Sequence, residues 1–389
     1  YEILKKKNEV QFNVTLDILK NPFKIDLLNY QKDNKLDLIL DVKAKKKIKS
    51  KLIFNEIFLK EKNNIISIKN MILSKDYKLD DIGNINIDYV DKENLSNKLQ
   101  LTKRNQDYLI SGNSFNVNSI IDNLLNSNEE KKSEFFNTNF KLIFDIKKIY
   151  LDKVNTLKNL KGYLTLDDNK IYELNLKSEF PNKKNINFTI KTNDDEKITT
   201  LFSQDAKPLV SRYKFIKGFE EGDLDFYSIK KNNTTNSTLK IDNFKIQEIP
   251  VLAKLLTLAS LQGIADLLTG EGIRFTDFEM KFSNKDKLMT IDEMYAIGPA
   301  ISILMDGYIE SNKLISLRGT LVPATTINRT ISSIPLIGNI LVGKKVGEGV
   351  FGVSFKVKGP PKDLVTTVNP VKTLTPRFIT RTLEKIKKN

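Results

Sequence analysis

The sequence predicts a mostly-β fold: an elongated, curled antiparallel sheet, a β-groove, carrying a few amphipathic helices. Three observations predict it. Short runs that alternate apolar and polar residues recur along the whole chain. Clusters of Asn, Asp, Gly and Lys separate those runs, as turns would. Only three stretches abandon period two for helical spacing.

In chain order, Leu36, Leu38, Leu40 and Val42 alternate with Asp37, Ile39, Asp41 and Lys43, and the period returns at Ile85, Ile87 and Tyr89. Phe140, Leu142, Phe144 and Ile146 alternate with Lys141, Ile143, Asp145 and Lys147. Ile301, Ile303 and Met305 follow, then Phe351, Val353, Phe355 and Val357. Strict period two gives each sheet one apolar face and one wet face. Asp167-Asp168-Asn169 and Ser283-Asn284-Lys285-Asp286 read as hairpin turns. The recurrence suggests one continuous structure, divided into a groove segment at 1–110, a second with a short helix at 111–220, and a C-terminal region at 221–389.

Ser114 to Leu125 carries Val117, Ile120, Ile121, Leu124 and Leu125 at helical spacing. Pro250 to Thr269 reads as a helix opened by Pro250 and closed by Gly270. Lys254, Gln262 and Asp266 fall inside it, so packing against an apolar sheet face is expected in preference to a membrane span. Thr375 to Lys388 is a basic amphipathic segment that sets Phe378, Ile379, Leu383 and Ile386 against Arg377, Arg381, Lys385, Lys387 and Lys388. Those five basic residues are the candidate contacts to an anionic membrane surface; a solvated terminal helix is the alternative.

Sixty-three Lys and Arg against 48 acidic residues give +15. An anionic partner accounts for such a balance. So does composition alone, since Lys, Asn and Ile dominate together while Trp, His and Cys are absent. No nucleic-acid partner is expected, because aromatic stacking platforms and a helix-turn-helix signature are lacking. Without His or Cys there is no Ser-His-Asp triad, no thiol nucleophile, no disulfide and no ordinary zinc or haem site. No cofactor and no metal are expected. Beginning at Tyr1, the chain is expected to be a fragment, with any N-terminal signal or membrane anchor out of view.

The sequence carries no complete chemical motif. Gly338 to Lys344 follows a phosphate-binding loop as far as its lysine, but Lys345 stands where Ser or Thr must hold magnesium, and a strand-like run follows where a helix is needed. Asp194-Asp195-Glu196 and Glu220-Glu221 sit in polar clusters and are expected in loops. The sequons at Asn233 and Asn236 are expected in a turn. No catalytic residue is nominated, and no enzyme is expected.

From Gly222 onward, four blocks resemble the AsmA-like C-terminal region of YhdP-type bacterial envelope proteins, in the AsmA and TamB family. They are GDLDFY (222–227); VLAKLLTLASLQGIADLLTGEGIRF (251–275); IGPAISILMDGYI (297–309) with LRGTLVP (317–323); and IPLIGNILVG (334–343) with GEGVFGVSFKVKGPPKD (347–363) and VNPVKTLTPRFI (368–379). Upstream, SGNSF (111–115) with the following helix, and Leu157 to Leu176, are similar to the family's middle region; residues 1 to 100 match only in strand pattern.

The resemblance implies a periplasmic protein, anchored in the inner membrane by an N-terminal helix absent from this chain, that guides phospholipid acyl chains along a hydrophobic groove between the two membranes. Its partners would be phospholipids, a membrane surface and an inner- or outer-membrane protein. The expected groove lining is Ile301, Ile303, Met305, Phe351, Val353, Phe355 and Val357, with Leu255, Leu258 and Leu261 of the helix plugging or gating one end. The alternative is an assembly factor for outer-membrane proteins that offers sheet edges and carries no lipid.

Overall fold

A computed structural model describes residues 1–47, 50–126, 139–167, 170–212, 217–247, 250–258, 270–323, 353–361 and 363–369. It is 70% strand and 6% helical, with one mixed 22-stranded sheet that does not close into a barrel. The curled, mostly-β class read from the alternation is therefore the observed one. Two compact units divide the chain, Tyr1–Asp194 and Asp195–Asn389. The boundary in the chain falls in the turn at Asp194-Asp195, whereas positions 110 and 220 lie inside strands.

The first unit contains β1 (Glu2–Lys6), β2 (Glu9–Ile18), the short pair β3 (Lys24–Ile25) and β4 (Tyr30–Gln31) around a 3-10 turn (Asp26–Leu28), β5 (Leu38–Lys47), β6 (Leu52–Glu61), β7 (Asn64–Leu73) and β8 (Leu79–Asp81). It continues with β9 (Asn84–Val90), β10 (Ser96–Arg104), β11 (Asp107–Asn116), α1 (Asn118–Asn126), β12 (Phe140–Tyr150), β13 (Thr156–Asp167), β14 (Lys170–Glu179) and β15 (Asn185–Asn193). The second contains β16 (Glu196–Ser203), α2 (Lys207–Val210), β17 (Lys217–Lys231), β18 (Thr234–Gln247), α3 (Pro250–Leu258), β19 (Ile273–Lys285), β20 (Leu288–Ile297), β21 (Ile301–Glu310), β22 (Leu314–Pro323), β23 (Val353–Gly359) and β24 (Val365–Asn369).

The polar clusters do the turning. Two-residue hairpins of the favoured primed type need positive φ at their centre, which Asn and Asp tolerate. Asn105, Asn232 and Asp286 take φ of 57°, 53° and 54° at three such turns. The expected turn at Ser283–Asp286 thus sits later, at Asp286-Lys287, because Lys285 still pairs with Leu288.

Other expectations need correction. β11 and β12 are parallel, not antiparallel; a parallel pair requires a crossover, and the segment containing α1 supplies it. Ser114 to Asn116 finish β11 in place of starting the helix, because Asn116 N–H is taken by Asn97 Oδ1 at 2.7 Å and Ser114 Oγ by Ser96 O at 2.7 Å. Asn116 Oδ1 then accepts from Asn118 N at 2.9 Å, where α1 begins. Glu220-Glu221 lies in β17 at a register shift, with Glu221 at φ 64°, and Asn236 lies within β18. Of the expected 250–269 helix, Pro250–Leu258 is described and 259–269 lie outside the described residues, as do the phosphate-loop near miss and the tail at 375–388.

Candidate functional site

Opposite residues of neighbouring strands share a face, so the pairing registers reveal what lies across each unit. In the first unit one row runs Val14, Val42, Ile57, Ile68, Ile85, Leu101, Ile110, Phe144, Gly162, Leu176, Phe188, one residue from each strand from β2 to β15 other than the short β3, β4 and β8. A neighbouring row runs Leu16, Leu40, Leu59, Ile66, Ile87, Leu99, Gly112, Ile146, Leu160. No charged side chain interrupts either. The second row is mostly buried, but in the first every side chain except Leu101 stays partly open to solvent.

Glycine shapes this face at the strand centre. Gly162 takes φ 146°, a conformation only glycine adopts comfortably, and a Cβ there would stand 1.8 Å from Asn175 O. A glycine inside a strand marks a bend, and Gly307 of β21 repeats the geometry at φ 148° in the second unit.

One margin of the first unit is sealed. The Tyr30 ring meets Tyr89 edge-on at 5.6 Å, and its hydroxyl donates to Glu61 Oε2 at 2.9 Å. Glu61 also accepts from Asp33 N at 2.7 Å and Asn64 Nδ2 at 2.9 Å. Asp91 Oδ2 takes Asn97 Nδ2 and Asn116 Nδ2 at 3.1 and 2.7 Å. Burial, reinforced by Glu61, pushes the Tyr30 phenol well above its usual value, so it stays a donor. At the opposite margin Asp81 accepts from Lys103 Nζ, from Gly83 N at 2.8 Å and from Tyr108 OH at 2.8 Å. Burial would raise that carboxyl, but these donors together hold it below its usual range.

In the second unit the rows are Leu201, Phe226, Leu239, Met280, Met294, Met305, Gly319, Phe355, Val368, and Leu224, Ile241, Phe278, Ala296, Ile303, Leu321, Val353. Three of the chain's five methionines are consecutive in the first of them. Thioether side chains are flexible and polarizable and adapt to irregular apolar partners. α3 lays Leu252, Leu255 and Leu256 into the same apolar cluster as Ile301, Val353, Phe355 and Val357, beside Phe244 stacked on Phe275 at 5.4 Å.

Ile301, Ile303, Met305, Val353, Phe355 and Val357 share one face of the second unit; Ile303 and Met305 are partly open, and the other four are buried. Leu255 is buried with them, whereas Leu258 at the end of α3 is 48% exposed. Phe351, Leu261, Arg377, Arg381, Lys385, Lys387 and Lys388 lie outside the described residues. The half-open row of the first unit shows in the sequence only as alternating runs; alternation finds a face but not which face stays uncovered. Among the described residues no group of acidic side chains is arranged to hold a metal, and no helix is long and apolar enough to cross a membrane.

No family model matches the chain, and neither a curated protein nor a solved structure matches it.

Proposed function

We propose that this chain is a non-enzymatic lipid-binding and transfer protein of the bacterial cell envelope, guiding phospholipid acyl chains along its apolar sheet faces between inner and outer membrane. The observation that carries the reading is the row from Val14 to Phe188: apolar at every position, on one face of a sheet that does not close into a barrel, and left half open. Large apolar surfaces kept from closing serve as binding surfaces. An acyl chain gains about 0.8 kcal/mol per buried methylene, so ten methylenes supply roughly 8 kcal/mol before immobilisation costs. No bond is made or broken; apolar side chains replace water around the tails and lower the barrier to their movement. The periplasmic setting and the anchor rest on the resemblance of the blocks from Gly222 onward.

The assembly-factor reading has one observation in its favour. β1 pairs only with β2 among the described residues, and all of its residues are exposed. Lys5 and Lys6 weaken that reading, because lysine on an edge strand discourages further strand pairing.

A photoreactive benzophenone amino acid at Phe188, on the row, and at Thr189, on the reverse face, tests the proposal in cells. Lipid adducts at 188 and not at 189 support it. Adducts at neither position, or equally at both, contradict it.

A further inference from the structure

At one margin of the first unit the apolar face ends in lysines. Lys46 follows Val42 and Ala44 at two-residue spacing in β5 and stands opposite Val10 and Leu52, which puts it on the apolar face. Lys5 follows Ile3 in β1 and also stands opposite Val10, so the two lysines are two strand spacings apart, about 10 Å. The turn after β7 meets Lys46. Ser74 Oγ accepts from Asp76 N at 3.3 Å and Lys78 N at 3.2 Å, and Tyr77 N bonds back to Ser74 O at 3.0 Å. That turn sets Tyr77 under Lys46, with Nζ 4.3 Å from the ring centroid and hydrogen-bonded to the hydroxyl.

Lys103 ends the apolar run of β10 at the same margin and is paired with Asp81. Lys5 and Lys46 have no carboxylate partner among the described residues; the nearby Glu9 accepts from Gln11 at 2.8 Å. Edge protection explains a lysine on β1, but not Lys46, whose strand lies between β2 and β6.

We propose that this corner is the headgroup end of the lipid site: Lys5 and Lys46, with the Tyr77 hydroxyl, hold the phosphate of an anionic phospholipid whose tails lie on the apolar face beyond. The inference rests on the lipid-binding reading and adds to it a charge preference and an orientation.

Dihexanoyl phosphatidylglycerol and dihexanoyl phosphatidylcholine have the same tails and opposite consequences here. Both are titrated calorimetrically as monomers into the wild type and into the K5Q/K46Q variant, with inorganic phosphate as a third ligand. The expected result is tighter binding of the glycerol lipid by the wild type, on the order of ten-fold for two lysines. The variant should lose that preference and keep its affinity for the choline lipid, and phosphate alone should bind far more weakly. Equal wild-type affinities, or a preference that survives in the variant, overturn the inference and leave lipid binding standing. Phosphate binding as tightly as the glycerol lipid overturns the assignment to a lipid. Binding of neither lipid overturns the lipid-binding reading and this inference with it.

Discussion

Gly319 stands directly opposite Phe355, and a Cβ at 319 would lie 2.2 Å from Leu304 O and 2.6 Å from Phe355 Cζ, so a backbone carbonyl and the phenyl ring together fill the space a side chain would need. Gly319→Ala should cost about 1–3 kcal/mol by overpacking. Gly319→Ala combined with Phe355→Leu should recover part of the loss, giving a coupling visible in a denaturation cycle. Additive losses would mean that the Leu304 carbonyl, and not the Phe355 ring, sets the cost.

The two faces of the second unit should respond differently to charge. Ile303→Asp places an unpaired carboxylate in the apolar row and should cost several kcal/mol. Lys356→Asp lies on the opposite face, exposed and opposite Arg318, and should change stability by no more than about 0.5 kcal/mol. Thermal melts of the two variants distinguish the faces; similar losses would contradict the assignment.

Asp223, Asp242 and Asp277 form a cross-strand row of like charges on the reverse face. Burial, then the nearby Asp277, Asp225 and Asp223, raise the Asp242 carboxyl above its usual value. A raised carboxyl binds protons more readily in the folded state, so its contribution to stability is fully present below the unfolded value, about 3.9, and is lost as pH rises through the folded one. Asp242→Asn should therefore raise Tm by roughly 1–4 °C at pH 7 and leave it unchanged at pH 3. A lower Tm at pH 7 would reverse the sign of the argument.

Asp81 behaves in the opposite sense. Held below its usual range by Lys103, Gly83 and Tyr108 against the effect of burial, it contributes stability above the unfolded value that is lost as pH falls through the folded one. Asp81→Asn should cost about 1–3 kcal/mol at pH 7, with the gap to wild type narrowing on acidification. Urea titrations at pH 7 and pH 3 measure both numbers, and a constant gap would show that the charge is not what matters.

The fold class was legible because period two is a local signal: Leu38 to Val42, Ile85 to Tyr89 and Phe140 to Ile146 each announce a strand with one apolar face. Ile301, Val353 and Phe355 pack inward in the second unit with Ile303 against them, but alternation alone does not say which of the two faces turns inward. What alternation cannot carry is pairing. The parallel contact between β11 and β12, the joining of Val14 through to Phe188 in one row, and the meeting of Lys46 with Tyr77 all depend on register between distant segments. The burial of Glu61 behind Tyr30 was equally hidden, since an acidic residue at a strand end reads as solvated until its three donors are in place.

Native mass spectrometry with lipid extraction, on protein purified gently from a Gram-negative host, tests the central claim most directly. The account predicts phospholipid bound in defined stoichiometry, released by detergent and reduced by a charge at Phe144 or Phe188. A folded protein free of lipid would contradict it and leave the apolar rows as ordinary core.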